Sequence, residues 1–441
     1  MKKITVLITG FIIIFLTATV FAGGNEPTNE ELLKEIKGLK ARVLELETRL
    51  MKQEGKIQST ENQTQEIKDK FEHIDTHLLH REEGLPAFFS DGFKIGAGAT
   101  MIIQGTDDVN ADSVTDNEAA TDASYSVDLE LEKKLEDYGK IFLHLETGKG
   151  NGIEDELKVF SNANQDVLNN ENVEVAEIWY EHYVNDLAII TFGKLDPTVY
   201  FDNNAIANDE TTQFLGRMFR NSPVIEFPGY TGGLRLALAP NDKLELNLGY
   251  FDADADWEDI TDGPFFIGQV NIKPNLFKKK GNYRLLAWLN NKNHIKWSDT
   301  TQNKESGYGW GLSFDQELTK NASAFFRYGW QNPDYYLNDQ TYSLESSWSG
   351  GLQLSGELWG RENDVWALAI GQIFPSKDYK DSNSALKAKT ESHLETYYSF
   401  KINDHLTIGP DIQFIWNAYG KDSKISDQSQ GVYGGRAQID F

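Results

Sequence analysis

The sequence predicts an all-β transmembrane barrel of about 16 antiparallel strands, preceded by an α-helical coiled coil. Three observations lead there. From Phe88 to the last residue, Phe441, segments of roughly ten residues alternate apolar and polar, which puts each kind on its own face of a strand. The connectors between these segments alternate short and long. Between Leu32 and Leu78 the pattern is different, with seam positions following one another at four and three residues, the spacing of a heptad.

Residues 1–22 are expected to be a secretory signal. Lys2 and Lys3 precede an apolar run from Ile4 to Val20, and Val20 and Ala22 stand before a cut after Ala22. Beyond it no run reaches the roughly 18 apolar residues of a spanning helix. Membrane strands give a weaker hydropathy signal, so the negative mean hydropathy does not argue against them.

Residues 28–82 are expected to form a coiled-coil stem. Leu32, Ile36, Leu39, Val43, Leu46 and Leu50 begin a seam that continues to Leu78, with Gln53, Thr60 and Thr64 its polar members. A helix of that length would be roughly 70 Å long. Gly84 and Pro86 end it.

Residues 86–441 form the expected barrel domain. Segments lie near 93–103, 123–134, 139–147, 173–184, 187–194, 230–239, 243–251, 264–273, 282–290, 308–318, 322–330, 350–358, 364–373, 392–402, 406–416 and 432–441. In the second, Tyr125, Val127, Leu129 and Leu131 alternate with Ser126, Asp128, Glu130 and Glu132; in the third, Ile141, Leu143 and Leu145 alternate with His144 and Glu146. The last, with Tyr433, Ala437, Ile439 and Phe441 on one face, resembles the C-terminal assembly signal of bacterial outer-membrane barrels. Tight links such as Glu136–Tyr138 alternate with long ones such as 148–172 and 195–229. An up-and-down barrel with short periplasmic turns and long outer loops has this pattern. An even strand count returns both ends to the periplasmic side, where the stem would lie. Aromatics form 12% of the chain, and Tyr328, Trp330, Trp348, Trp359, Trp416 and Tyr419 are expected in interfacial girdles.

The chain has no cysteine, which excludes disulfides and thiolate metal sites. Its net charge is −26, which argues against nucleic acid as a partner. Neither GxSxG nor HExxH occurs, so no enzyme, cofactor or metal site is expected.

The connector 195–229 is long enough to be functional. It holds Asp196, Asp202, Asp209, Glu210, Arg217, Arg220 and Glu226, together with five aromatics. Folded inward, these would build an eyelet. Arginine forks donate and carboxylates accept, which together suit hydroxyl-rich solutes. Strand parity adds a second set of expected pore-lining residues: Glu177, Trp179, Glu181, Arg235, Arg284, Trp288, Arg327, Glu395, Asp411 and Gln413.

The run GKLDPTVYFDNNAIANDETTQFLGRMFRNSPVIEFPGY (193–230), with EIWYEHY (177–183) and ETYYSFKINDHLTIGPDIQFIWN (395–417), resembles the OprB family of carbohydrate-selective porins. The resemblance implies passive diffusion of mono- and small oligosaccharides through an outer-membrane barrel, commonly a homotrimer in outer-membrane lipid. The stem is similar to those of outer-membrane proteins that span the periplasm, which implies a periplasmic or cell-wall contact. Two other readings stand beside the sugar porin: a general or cation-preferring porin, which the acidic charge favours, and an outer-membrane tether with the coiled coil as spacer.

Overall fold

The computed structural model describes residues 92–107, 109, 119–258, 260–301, 305–336, 342–382, 389–420 and 429–441. The expected signal, residues 1–22, and coiled-coil stem, residues 28–82, lie outside the described residues.

The strands are β1 (Phe93–Thr106), β2 (Ala120–Leu135), β3 (Gly139–Lys149), β4 (Glu174–Asn185), β5 (Ala188–Leu195), β6 (Thr231–Asn241), β7 (Leu244–Asp252), β8 (Pro264–Ile272), β9 (Asn275–Leu276), β10 (Lys279–His294), β11 (Glu305–Thr319), β12 (Ala322–Gln331), β13 (Leu344–Ser355), β14 (Val365–Pro375), β15 (Glu391–Lys401), β16 (Leu406–Trp416) and β17 (Gln430–Asp440). The two-residue β9 only tightens the turn into β10, which pairs in the wall with β8. The other sixteen form one antiparallel sheet. It closes because β1 pairs with β2 on one side and β17 on the other, with Met101 opposite both Tyr125 and Ala437. The last residue still belongs to the wall: the Phe441 N–H donates to the Ala97 carbonyl at 2.9 Å.

The faces are reversed relative to a water-soluble protein. Met101, Ile103, Val127, Ile178, Leu248, Leu285, Leu352 and Ile370 all point outward and are exposed. Their strand neighbours Thr100, Ser126, Glu177, Asn247, Arg284 and Gln353, and Glu395 on the strand beside Ile370, include some of the most enclosed polar groups among the described residues. An apolar belt of this size in water would be an aggregation surface; in a bilayer it meets lipid, and closure leaves no backbone group unpaired at an edge. Sixteen strands enclose a lumen too wide for wall side chains alone to fill.

Strand order and connector lengths follow the sequence-based expectation, with one displacement. The twelfth segment, expected at 350–358, is β13 at Leu344–Ser355. Its first half, Leu344–Ser349, carries three serines where apolar residues would mark a strand. The last three expected residues, 356–358, turn instead into a 3-10 helix, Gly356–Trp359, which ends on Gly360 at φ 80°. Among the expected girdle residues, Trp359 and Trp416 are on the exposed outer surface. Tyr419 is not: it sits in a loop, 5.1 Å from the Phe160 ring and 5.4 Å from Tyr342.

Candidate functional site

Two long loops enter the barrel. The loop between β5 and β6, residues 196–230, carries two single-turn helices, α1 (Pro197–Tyr200) and α2 (Arg217–Arg220). Asp196 caps α1, its carboxylate accepting the Thr198 N–H at 2.8 Å. The loop between β3 and β4, residues 150–173, lies against it: the Gln165 N–H donates to the Leu215 carbonyl at 2.8 Å and the Arg217 N–H to the Asn162 carbonyl at 3.0 Å.

Irregular backbone buried inside a barrel must find partners for its N–H and C=O groups, and wall side chains supply them. Arg327 donates to the carbonyls of Phe219 at 2.5 Å, Ala207 at 2.6 Å and Asp202 at 2.9 Å. Glu395 accepts the N–H groups of Leu215 at 2.6 Å and Gly216 at 2.9 Å. A Cβ at Gly216 would stand 2.7 Å from the Glu395 carboxylate, so a side chain there would make that carboxylate shift. Glu391 accepts from Phe160 and Ser161 in the other loop. Gln413 donates to the Ala163 carbonyl at 2.7 Å, and Arg436 to the carbonyls of Glu210 and Gln213. Apolar anchors add to this. Phe214 and Phe219 are buried against Phe325 and Tyr397 of the wall. Phe201 and Ile225 are buried with Phe251, Phe265 and Trp288.

The loops fill the side of the lumen bounded by β7–β16 and leave an opening of about 860 Å³ against β1–β4 and β17. Its lining includes nine carboxylates (Asp128, Glu130, Glu146, Asp166, Glu177, Asp196, Asp209, Glu210 and Asp440) against Arg217, Arg220 and His144. The space is therefore acidic with a local basic bank. Arg220 forms an ion pair with Glu210 and lies 3.5 Å from Asp196. Burial pulls its pKa down, but these carboxylates outweigh that and raise it, so it stays charged. Burial and the neighbouring Arg220 lower the pKa of Arg217. Burial pushes Asp166, in the lining, and Glu154, elsewhere in the same loop, up to about 7. The Tyr230 hydroxyl donates to Glu146 at 3.1 Å on the same rim, and His144 lies 2.8 Å from Asp128.

Of the seven expected eyelet residues, Asp196, Asp209, Glu210, Arg217 and Arg220 line this opening. Asp202 and Glu226 do not. Asp202 is buried beside Arg327 at 3.4 Å and accepts the Ser222 N–H, and Glu226 is buried 2.7 Å from His294. Of the wall set, Glu177 lines the opening, and accepts the Asp196 N–H at 3.0 Å. The others are buried as parity requires, but most do not face open water. Arg327, Glu395 and Gln413 hold the loops, and Asp411 bonds Gln413. Arg284 pairs with Asp315 at 2.5 Å, Glu181 lies 3.6 Å from Arg235, Trp179 stacks on Phe142, and Trp288 sits under the loop. Asp128, Glu130, His144 and Glu146 were legible as a polar face, yet nothing local marks them as the uncovered part of the wall. Asp166 and Tyr230 carried no signal at all, because their position depends on how two loops pack.

The family model "Carbohydrate-selective porin, OprB family" matches residues 116–441. An uncharacterized protein of Aquifex aeolicus (strain VF5) is 27% identical over 223 residues, 51% of this chain and 58% of that protein. Porin AaxA of Chlamydia trachomatis serovar L2 is 22% identical over 268 residues, 59% of this chain and 53% of that porin. The chain thus spans little more than half the length of these curated relatives. The high-pH structure of Pseudomonas putida OprB superposes with a TM-score of 0.68 at 16% identity, covering 81% of this chain and 96% of that one. The outer membrane channel DcaP of Acinetobacter baumannii gives 0.51 at 12%, covering 80% and 98%. At these identities the likeness is one of fold, and it agrees with a closed β-barrel. The chain belongs to the carbohydrate-selective porins of the OprB family, barrels of the outer membrane and not enzymes.

Proposed function

We propose that the protein is an outer-membrane porin through which mono- and small oligosaccharides diffuse passively. The observation that carries this reading is the loop-built opening of about 860 Å³, whose lining sets Arg217 and Arg220 among carboxylates. That volume is within the range of sites that hold small molecules, roughly 300–1,000 Å³. A sugar passing it exchanges water hydrogen bonds for those of the arginine donors and carboxylate acceptors in the lining, so passage needs no energy source. Asp196, Asp209, Glu210, Arg217, Arg220 and Glu177 are the proposed contacts, with Asp202 and Glu226 fixing the loop behind them. Signal cleavage after Ala22, a periplasmic stem over 28–82, its cell-wall contact and a homotrimer belong to the same proposal.

Swelling of liposomes that contain the purified protein tests it. Glucose and maltose are expected to enter faster than an uncharged non-sugar of equal size, and Arg217→Ala to narrow that difference. Equal rates for all solutes in the wild type would reduce the protein to a general pore.

The excess of carboxylates in the lining favours a second property, preference for cations. A reversal potential measured across a KCl gradient reads it directly. A potential of anion-selective sign would reject it.

A further inference from the structure

The loop after β7 brings three carboxylates together on the long-loop rim of the barrel, away from the constriction. We propose that Asp252, Asp254 and Asp256 form a calcium-binding site. In the run Asp252-Ala253-Asp254-Ala255-Asp256-Trp257-Glu258 the acids fall on every second position. Had the strand continued, they would have lined one face about 7 Å apart. It stops at Asp252 instead, and Ala255 and Trp257 take left-handed φ values of 58° and 66°. One oxygen from each of the three carboxylates then lies within 4.8 Å of the others.

A second observation points to a ligand. Asp252 is only 1% exposed, yet no N–H or hydroxyl donor reaches its Oδ1, and its carboxyl stands against that of Asp254. Its other oxygen accepts the Trp257 N–H at 3.2 Å. The charged groups facing it are the acids Asp254 and Asp256. A buried carboxylate oxygen without a donor is costly, and like charges beside it raise the cost. A cation seated among the three removes both terms.

The donor set selects the ion. It is oxygen only, with neither imidazole nor thiolate, which favours a hard cation over zinc or copper. Calcium accepts six to eight oxygens in loose geometry and leaves the remainder to water, whereas magnesium demands a near-ideal octahedron. The site also has a mechanical consequence. The Thr231 hydroxyl donates to the Asp252 carbonyl at 2.8 Å, and the Trp257 ring lies over Gly232, so bound calcium would pin this loop to the start of β6.

The test uses the full chain folded in detergent micelles. Calcium is titrated calorimetrically, and terbium luminescence is excited through tryptophan, since Trp257 adjoins the site. One saturable calcium event is expected, with a Kd on the order of 10⁻⁴–10⁻³ M as in extracellular modules. It should be lost in the Asp254→Asn/Asp256→Asn pair, whose side chains are exposed, and calcium should displace terbium emission that Trp257→Phe weakens. The charge-matched pair Glu136→Gln/Asp186→Asn, in exposed turns at the opposite end, should bind as the wild type does. The proposal is overturned if the Asp254/Asp256 pair titrates like the wild type, if the control pair loses as much, or if magnesium displaces terbium as well as calcium does.

Discussion

Arg327 shows how far one side chain determines this lumen. It is buried, and it holds three carbonyls of the β5–β6 loop beside the buried Asp202 carboxylate. Arg327→Met leaves that carboxylate without its cation, a loss of about 3–5 kcal/mol in loop attachment. Single-channel conductance should rise as the constriction loosens, and amides of 202–219 should exchange faster. Unchanged conductance would mean that the loop is held elsewhere. Asp166 carries a pH prediction. Burial raises its pKa from 3.8 to about 7, with Glu210 and Asp128 pushing the same way and Ser126 and Arg436 opposing. The folded state keeps this proton where the unfolded state has lost it. Its contribution to stability is therefore full below pH 3.8, declines as pH rises towards about 7, and is flat above. Across neutrality the group gains charge, so the cation-to-anion permeability ratio should increase from about pH 6 to 8. Asp166→Asn should flatten that increase; an identical slope would assign it to other groups. Neither role was legible beforehand. Arg327 reads as a wall residue by parity, and what it grips lies over a hundred positions earlier in the chain.

At the scale of elements, strands and loops differ in how much the sequence reveals. A strand with one face in lipid and one in water writes a period of two, and β2, β3, β7, β15 and β16 came within a few residues of their observed bounds. β13 slipped because Ser346, Ser347 and Ser349 hide the alternation. Loops have no such period. Length and charge singled out the connector 195–229, and five of its seven charged candidates line the opening. The β3–β4 loop gave no hint that it also folds inward, since its anchors, Glu391 and Gln413, are far along the chain. Glu391 accepts the N–H groups of Phe160, Ser161 and Tyr419. Glu391→Ala leaves these donors unpaired at about 1–3 kcal/mol each. Hydrogen exchange should then quicken over 153–168 while the strands keep their protection. If those amides remain protected, this carboxylate is not the anchor.

On the scale of the whole molecule, an inside-out barrel solves two problems with one set of residues. Alternate side chains satisfy the lipid outside, and the intervening polar ones satisfy the backbone of the loops inside. The opening that remains is asymmetric: it lies against β1–β4, acidic along the wall and basic at α2. The remaining question for this opening is whether it recognises sugars or merely admits them. Single-channel current through the protein in a planar bilayer, titrated with glucose, maltose and an uncharged non-sugar of similar size, decides between these. The sugars are expected to reduce the current saturably and the control not to, and Arg217→Ala is expected to weaken the sugar effect. A decline equal for all three solutes, and unchanged in Arg217→Ala, would contradict sugar recognition.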